Sequence, residues 1–362
     1  MPSHRHPVLE VDLDAIAGNW RLLAPRHPWG PIAAVVKADA YGLGAGRVAP
    51  RLHAAGCRHF FTAHLAEAAP LRPLLPGAML AALNGLWPGD APDYVAHGVL
   101  PVLGSLGEVE AWSAQARALG RPLPALLHVD TGMNRLGLPP GETGRLAAEP
   151  DRLDGIALRY VMTHLANVEQ PDDPADERQM RRFAAACARL PPAPRSVANS
   201  SALFLGPAFG SDLARPGAAL YGINPLPGRA NPLRGCVRLL APVLQVRDVP
   251  AGEPVGYDGI WTAPRPSRIA TVSVGYADGY LRSLSNAALA SFDGRPVPLV
   301  GRVSMDLTTF DVTDAPGVRP GSLLELIGPA MPPDAVAERA GTNGYEVLTG
   351  LGSRYERVYR AA

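Results

Sequence analysis

Up to about residue 220 the chain alternates short apolar runs with stretches of helical spacing. The runs are PIAAVV (31–36), HFFTAH (59–64), AMLAAL (78–83), VLPVLG (99–104), PALLHV (124–129), ALRYVMTH (157–164), RSVANS (195–200) and DLARPG (212–217). Between them, LDAIAGNWRLL, GRVAPRLHAAG and GEVEAWSAQARALG place apolar residues three to four apart. The last two end in Gly, a common residue just past a helix. ADERQMRRFAAACARL opens with acids and stops before Pro-Pro, as a helix should. Eight strand candidates alternating with helices over some 200 residues predict a (β/α)8 TIM-like barrel. A doubly wound open sheet is the alternative, but no Gly-rich dinucleotide fingerprint follows a strand to support it.

From about residue 236 the rhythm changes. VRLLAPVLQVRDV, RIATVSVGYADGY, PVPLVGRVSMDLTTFDV and SLLELIG read as closely spaced strands. Turn-forming PAGEP, FDGRP and APGVRPG lie among them, and DAVAERAG forms a short helical patch. A C-terminal mostly-β domain follows, with the boundary in the Pro- and Gly-rich stretch 224–235. The expected division is 1–234 for the barrel and 235–362 for the β domain.

Composition narrows the function classes. The 362 residues are 47% hydrophobic and carry a formal net charge of +1, without a basic block. Neither nucleic acid nor a membrane surface is an expected partner. The opening MPSHRHPVLEVDLDAI has no apolar stretch of signal-peptide length, and no apolar run reaches the roughly 18 residues of a membrane span. Cys57, Cys187 and Cys236 are too few and too scattered for a disulfide framework. A cytoplasmic protein is expected. His4, His6, His27, His53, His59, His64 and His97 share no ligand spacing with acids, so no metal is predicted. The acidic PDDPADE (171–177) reads as a solvated loop leading into a helix.

One residue stands apart. Of 34 cationic side chains, 33 are arginine and one, Lys37, is lysine. Proline, at 39 residues, is about twice its usual ~5% share, which with the Ala and Arg richness suggests genome-wide compositional drift. Arginine does not lose its proton in a protein, whereas a desolvated lysine amine can act as nucleophile or base. A lysine spared by such drift is either a chance survivor on a surface loop or sits where arginine cannot replace it. On the barrel reading Lys37 closes the first strand, and strand C-termini face the active-site mouth. His164 ends the sixth run, Asn199 and Ser200 the seventh, and Arg215 the eighth. An amine that can form a Schiff base, with Ser200 and the Gly217–Ala218 backbone placed for a phosphate, suggests pyridoxal 5'-phosphate.

AVVKADAYG, DTGMNRLG, THLAN, ANS, RPGAALYG, GYADG and GRVSMD occur in this order along the chain. Together they resemble the motifs of the alanine racemase family over the whole sequence. The resemblance implies Lys37 as Schiff-base lysine and base on one face of the substrate. Tyr41, Ser200, Gly217 and Ala218 then hold the phosphate, and Arg215 faces the pyridine nitrogen. His164 and Asn199 line the cofactor site, with His164 and Arg215 as cations acting on the second base. Arg135 and the backbone of Met305 receive the substrate carboxylate. Tyr257, in VGYDGIWTA, is the base on the opposite face, and Tyr276 lies nearby; without the resemblance Tyr257 reads as a turn aromatic. The resemblance also implies a head-to-tail homodimer in which the second domain of one subunit completes the barrel site of the other.

The expected reaction is interconversion of L- and D-alanine. The alternatives are a broader amino-acid racemase, a non-catalytic cofactor-binding barrel, and a decarboxylase of basic amino acids, which no motif favours. Three positions depart from the family pattern. His128 replaces an often carbamylated lysine seven residues before Arg135. Ser196 replaces a histidine that supports the arginine in some members. Ser353 replaces a phosphate-binding tyrosine of some members, with Tyr355 close by.

Overall fold

The computed structural model describes residues 6–168 and 174–361. His4 and the first part of PDDPADE, through residue 173, lie outside the described residues. The first strand, β1 (Val8–Asp12), leads into α1 (Leu13–Leu23), whose first turn is capped by the Asp12 carboxylate accepting from Ala15 N–H at 2.8 Å. Seven strands then pair in chain order, all parallel: β2 (Ala34–Val35), β3 (His59–Thr62), β4 (Met79–Ala82), β5 (Leu100–Leu103), β6 (Leu123–His128), β7 (Ile156–Met162) and β8 (Arg195–Ser196). With α1, the connecting helices are the one-turn α2 (Lys37–Tyr41), α3 (Ala45–Ala54), α4 (Leu65–Ala68), α5 (Ala91–His97), α6 (Leu106–Ala118), α7 (Pro140–Ala148) and α8 (Ala175–Cys187).

The eighth expected strand is reduced to two parallel bridges, Ser196↔Leu213 and Ile32↔Ala214. Its backbone nevertheless bonds to both sides. Leu213 N–H donates to Arg195 O at 3.1 Å, Ala33 N–H to Ala214 O at 2.8 Å and Val35 N–H to Pro216 O at 3.0 Å. These bonds join the last strand to the first and close the ring. Pro216 offers a carbonyl but no N–H, so a regular ladder cannot continue through it. RSVANS is likewise strand for only two residues, because Val197 N–H turns to the Ser211 hydroxyl.

The apolar runs have no polar alternation because both faces are buried. Val35, Phe61, Ala81, Val102, Leu126, Met162 and Leu213 meet in the barrel interior, one from each of β2 to β7 and one from the closing bridge. A barrel filled in this way is a packed core rather than a pore.

The second domain is built on the long β9 (Val237–Val249). A hairpin of β10 (Pro254–Val255) and β11 (Trp261–Thr262) follows, then β12 (Ser267–Val272), β13 (Leu289–Phe292), β14 (Arg295–Pro298), β15 (Thr308–Asp311), β16 (Leu323–Ile327), α9 (Pro333–Ala340), α10 (Gly344–Thr349) and β17 (Glu356–Arg360). The sheet runs β14-β13-β16-β9-β1-β17, with β12 pairing both β9 and β15. The N-terminal strand therefore belongs to the second sheet: β1 runs antiparallel to β9 and parallel to β17. The stretch 224–235 carries turns but neither helix nor strand. Buried Asn19 of α1 staples its end, donating to Leu220 O and Arg234 O and accepting from Arg234 N–H. Among the described residues no helix is long and apolar enough to cross a membrane.

Candidate active site

Lys37 emerges where β2 leaves the barrel. The four residues after it, Ala38, Asp39, Ala40 and Tyr41, have φ of 52–56°, a full turn of left-handed backbone without a glycine. Each such residue costs roughly 1–2 kcal/mol, so surrounding bonds must hold the turn. The Asp39 carboxylate accepts from Ala45 N–H at 2.7 Å and so starts α3. Glu67 accepts from Ala38 N–H at 2.9 Å. Gly42, at φ 80°, ends the turn against α10. A Cβ there would lie 2.4 Å from Leu348 O, and the Gly42 carbonyl accepts from Arg357 at 2.6 Å. The loop is thus wedged between the barrel and the C-terminal segment. Burial, followed by the Arg135 charge, lowers the Lys37 pKa, and Glu67 opposes the shift. The amine is accordingly easier to neutralise than an ordinary lysine.

Lys37 opens into a cavity of 380 Å³ that also bears Tyr41, Arg135, His164, Asn199, Ser200, Arg215, Gly217 and Ala218. Nine of the predicted residues therefore share one cleft at the C-terminal mouth of the barrel. One end of it is an anion cradle. The Ser200 hydroxyl accepts from Gly217 N–H at 3.0 Å and Ala219 N–H at 3.2 Å. Tyr41 points its hydroxyl at Gly217, where a Cβ would come within 2.2 Å of it. The Tyr41 ring packs on Tyr221 with centroids 4.7 Å apart. Burial pushes the Tyr41 pKa up to about 12, so it remains a neutral phenol able to donate to an anion. Asn199 shapes the neighbouring turn by accepting from Ala202 N–H at 3.1 Å.

Arg215, only 4% exposed, crosses the floor of the cleft. Its guanidinium donates to the Ser196 hydroxyl and, at 2.6 Å, to Thr163 O, while Ser196 donates onward to Leu213 O at 2.7 Å. The serine in the family histidine's place does support the arginine. Burial lowers the Arg215 pKa to about 10, which still leaves a cation at neutral pH. His164 is different. Burial and the charges of Arg215 and Arg135 bring it down to about 3, and burial and Arg215 bring His128 to about 4. Both rings are neutral near pH 7. The expectation of His164 as a second cation is corrected on this point, and the permanent charges of the cleft are the guanidinium groups. Arg135 rides on a loop tied down by Asp130, which accepts from the N–H groups of Gly132, Met133 and Asn134.

Tyr257, Tyr276 and Met305 do not line this cleft. They lie in the second domain and are 69%, 42% and 55% exposed. Tyr257 sits on a turn fixed by Asp258, at φ 61°, whose carboxylate accepts from Arg302 at 2.7 Å. The Tyr276 turn is docked on the Met305 loop: Tyr276 N–H donates to Ser304 O and Ala277 N–H to Met305 O, both at 3.0 Å. Ile260 and Leu307 extend the exposed apolar surface of these same segments. Within one chain these three residues therefore lie on a surface apart from the cleft.

Residues 11–225 match the sequence profile of the alanine racemase N-terminal domain, and residues 236–359 that of the alanine racemase C-terminal domain. The chain belongs to the alanine racemase family. It is 56% identical over 356 residues to the alanine racemase of Acidiphilium cryptum, a match covering 98% of this chain and 99% of the relative. To that of Methylobacterium sp. strain 4-46 it is 51% identical over 353 residues, 97% of each chain. The crystal structure of alanine racemase from Bartonella henselae with covalently bound pyridoxal phosphate superimposes with a TM-score of 0.94. That protein is 40% identical, and the match covers 98% of this chain and 99% of the other.

For an alanine racemase, the structure adds residues that the sequence reading passed over. Tyr345, in the first turn of α10, lines the cleft, whereas Tyr355 is buried elsewhere. Tyr345 also borders a larger cavity of 1110 Å³ that bears none of the predicted site residues. The Asn343 cap that starts α10, its side chain accepting from Glu346 N–H at 3.0 Å, brings Tyr345 to the cleft. Gln179 on α8 donates to Thr131 and to His164 O and accepts from Ala166 N–H, pinning the ends of β6 and β7. No local motif marks such a residue, because its partners lie far off in sequence.

Proposed function

We propose that this enzyme interconverts L- and D-alanine through two bases, Lys37 and Tyr257, contributed by different subunits of a homodimer. The carrying observation is that Lys37, the Arg215 guanidinium and the Tyr41–Ser200–Gly217 cradle open into one cleft, which Tyr257 of the same chain does not line. The residues fit pyridoxal 5'-phosphate. A neutral phenol and a hydroxyl, the latter accepting from two backbone N–H groups and so free to donate its own proton, converge at one end of the cleft beside Gly217, where a Cβ would press on the Tyr41 oxygen. When bound, the cofactor supplies an aldehyde for an amine and an electron sink for the Cα carbanion.

The protein's own groups do the rest. Tyr41, Ser200, Gly217 and Ala218 hold the phosphate, and His164 and Asn199 wall the ring. Arg215 donates a hydrogen bond to the ring nitrogen and keeps its own proton, since a guanidinium seldom releases it. In that role Arg215 would leave the ring nitrogen unprotonated, and Lys37 and Tyr257 would return the proton to Cα quickly. Arg135 and the Met305 backbone receive the carboxylate. Lys37 Nζ moves the proton on one face, and Tyr257 Oη, beside Tyr276, moves it on the other. We assign residues 1–234 to the barrel and 235–362 to the second domain, which also takes in β1. With its three cysteines unpaired, a reducing cytoplasm is the proposed setting.

A mixing experiment tests the assignment. Lys37→Ala and Tyr257→Phe should each abolish racemisation of alanine, as followed by chiral analysis. Denatured together and refolded, they should regain about a quarter of wild-type racemisation. Half of the dimers are then hybrids, and one of a hybrid's two sites is intact. Normal turnover by Tyr257→Phe alone would remove that phenol from the mechanism, and no recovery on mixing would rule out shared sites.

A further inference from the structure

We propose that Glu67 is a positioning residue for Lys37: its carboxylate ties the amide after the lysine to the end of the neighbouring strand, and so holds the left-handed turn that aims the amine into the cleft. The inference rests on Lys37 being the cofactor lysine. Glu67 lies in α4, three residues after His64, and a glutamate there favours the positive end of a helix. Capping alone would account for one bond, from Ala63 N–H to Oε2 at 2.7 Å. It does not account for the second. Oε1 accepts from Ala38 N–H at 2.9 Å, across to a different strand end. Ala63 follows β3 and Ala38 follows β2, which are adjacent in the barrel. One carboxylate therefore spans two strand ends at the mouth, directly behind the reactive amine.

The backbone explains why this bridge is needed. The 38–41 turn is left-handed without a glycine. Ala40 N–H is satisfied by Val36 O and Gly42 N–H by Ala38 O, but Ala38 N–H finds its acceptor in Glu67. Losing that acceptor frees the start of a turn whose residues prefer another conformation. Glu67 also places a negative charge near Nζ. The charged and titratable groups around Lys37 are Glu67 from α4, Arg135 from the β6–α7 loop, Arg215 from the closing bridge, His164 after β7, Tyr345 from α10, and Asp39 and Tyr41 from its own turn. Among them, Arg135 lowers the lysine pKa and Glu67 raises it.

Glu67→Gln keeps the size but presents one N–H₂ to an N–H, so one of the two bonds is lost. Glu67→Asp keeps the charge but is one methylene too short to reach both amides. The test uses the full-length protein stripped of cofactor and reads binding of pyridoxal 5'-phosphate by its visible absorbance. Pyridoxine 5'-phosphate, which has the ring and phosphate but no aldehyde, is measured beside it. In Glu67→Gln, affinity for the aldehyde should fall about tenfold, the scale of one lost charge-assisted hydrogen bond, with the alcohol bound as in the wild type. The midpoint of the pH dependence of aldehyde capture should move to lower pH. In Glu67→Asp the affinity should fall while that midpoint stays. Equal weakening of both ligands, or no weakening of either, would overturn the proposal. Lys37→Ala runs in parallel: covalent capture surviving there would overturn the reading of Lys37 and the proposal together. Loss of capture there, with Glu67→Gln unchanged, would overturn the role of Glu67 alone.

Discussion

Gly217→Ala is the sharpest probe of the anion cradle. The added methyl would lie 2.2 Å from the Tyr41 oxygen and 3.0 Å from its Cζ. The hydroxyl would have to retreat by roughly 1.3 Å or more to reach ordinary contact. It has little room to do so. The ring is stacked on Tyr221, which is 1% exposed and itself anchored by a 2.9 Å bond to Val35 O. Tyr41 must therefore turn its donor away from the phosphate position. A hydrogen bond to a charged group contributes about 1.5–3 kcal/mol, which is roughly a 10- to 150-fold loss in affinity. Titrating the stripped protein with pyridoxal 5'-phosphate measures it, and Tyr41→Phe provides the second edge of a double-mutant cycle. If the methyl acts by displacing the phenol, the two changes overlap, and the double variant is little worse than either single one. Affinity within twofold of wild type for Gly217→Ala, or full additivity, would refute the account of how the phosphate is held.

Two further predictions follow from the floor of the cleft. Ser196→Ala leaves a buried guanidinium N–H without its hydroxyl partner and should cost about 1–3 kcal/mol in unfolding free energy. Turnover should fall with it, while Ser196→Thr, which keeps the hydroxyl, should retain more of both; a silent Ser196→Ala in thermal and kinetic assays would deny Arg215 this support. The neutral histidines give a pH dependence of definite sign. His128 and His164 are depressed to about 4 and about 3 when folded, against about 6.5 unfolded. Between those values the unfolded chain binds more protons, so their contribution is fully present above about pH 6.5 and is lost as the pH falls toward 3. Denaturant melts across that range should show the decline, and His128→Gln should flatten it.

Much of this was legible in the primary structure because barrel strands impose a strong pattern. Runs such as HFFT and LPALLH are apolar on both faces, and the polar residue that ends each run is the one left at the mouth. That logic places Lys37, His164 and Arg215 at the mouth, and one cleft holds all three. It overstated the eighth strand, because Pro216 cuts the ladder where the apolar spacing continues. It also assigned charge to His164 from residue type, whereas protonation depends on two guanidinium groups brought near by folding. Glu67, Gln179 and Tyr345 escaped for a related reason. Each acts on backbone or cavity far along the chain, and a single sequence records no such distances. Tyr257, Tyr276 and Met305 were placed by resemblance alone. Their exposure in one chain agrees with a site completed by another, and the mixing experiment decides that question.

The place of β1 has a consequence for folding. Val8 pairs with Glu356, so neighbouring strands of one sheet lie 348 residues apart along the chain. The barrel strands, paired with their successors along the chain, can assemble as they emerge. The second sheet keeps an unpaired edge until that distant contact forms, and such an edge is an aggregation hazard. The segment around β17 also braces the turn after Lys37, through Leu348 and Arg357. The lysine loop is therefore finished only when this far segment has docked.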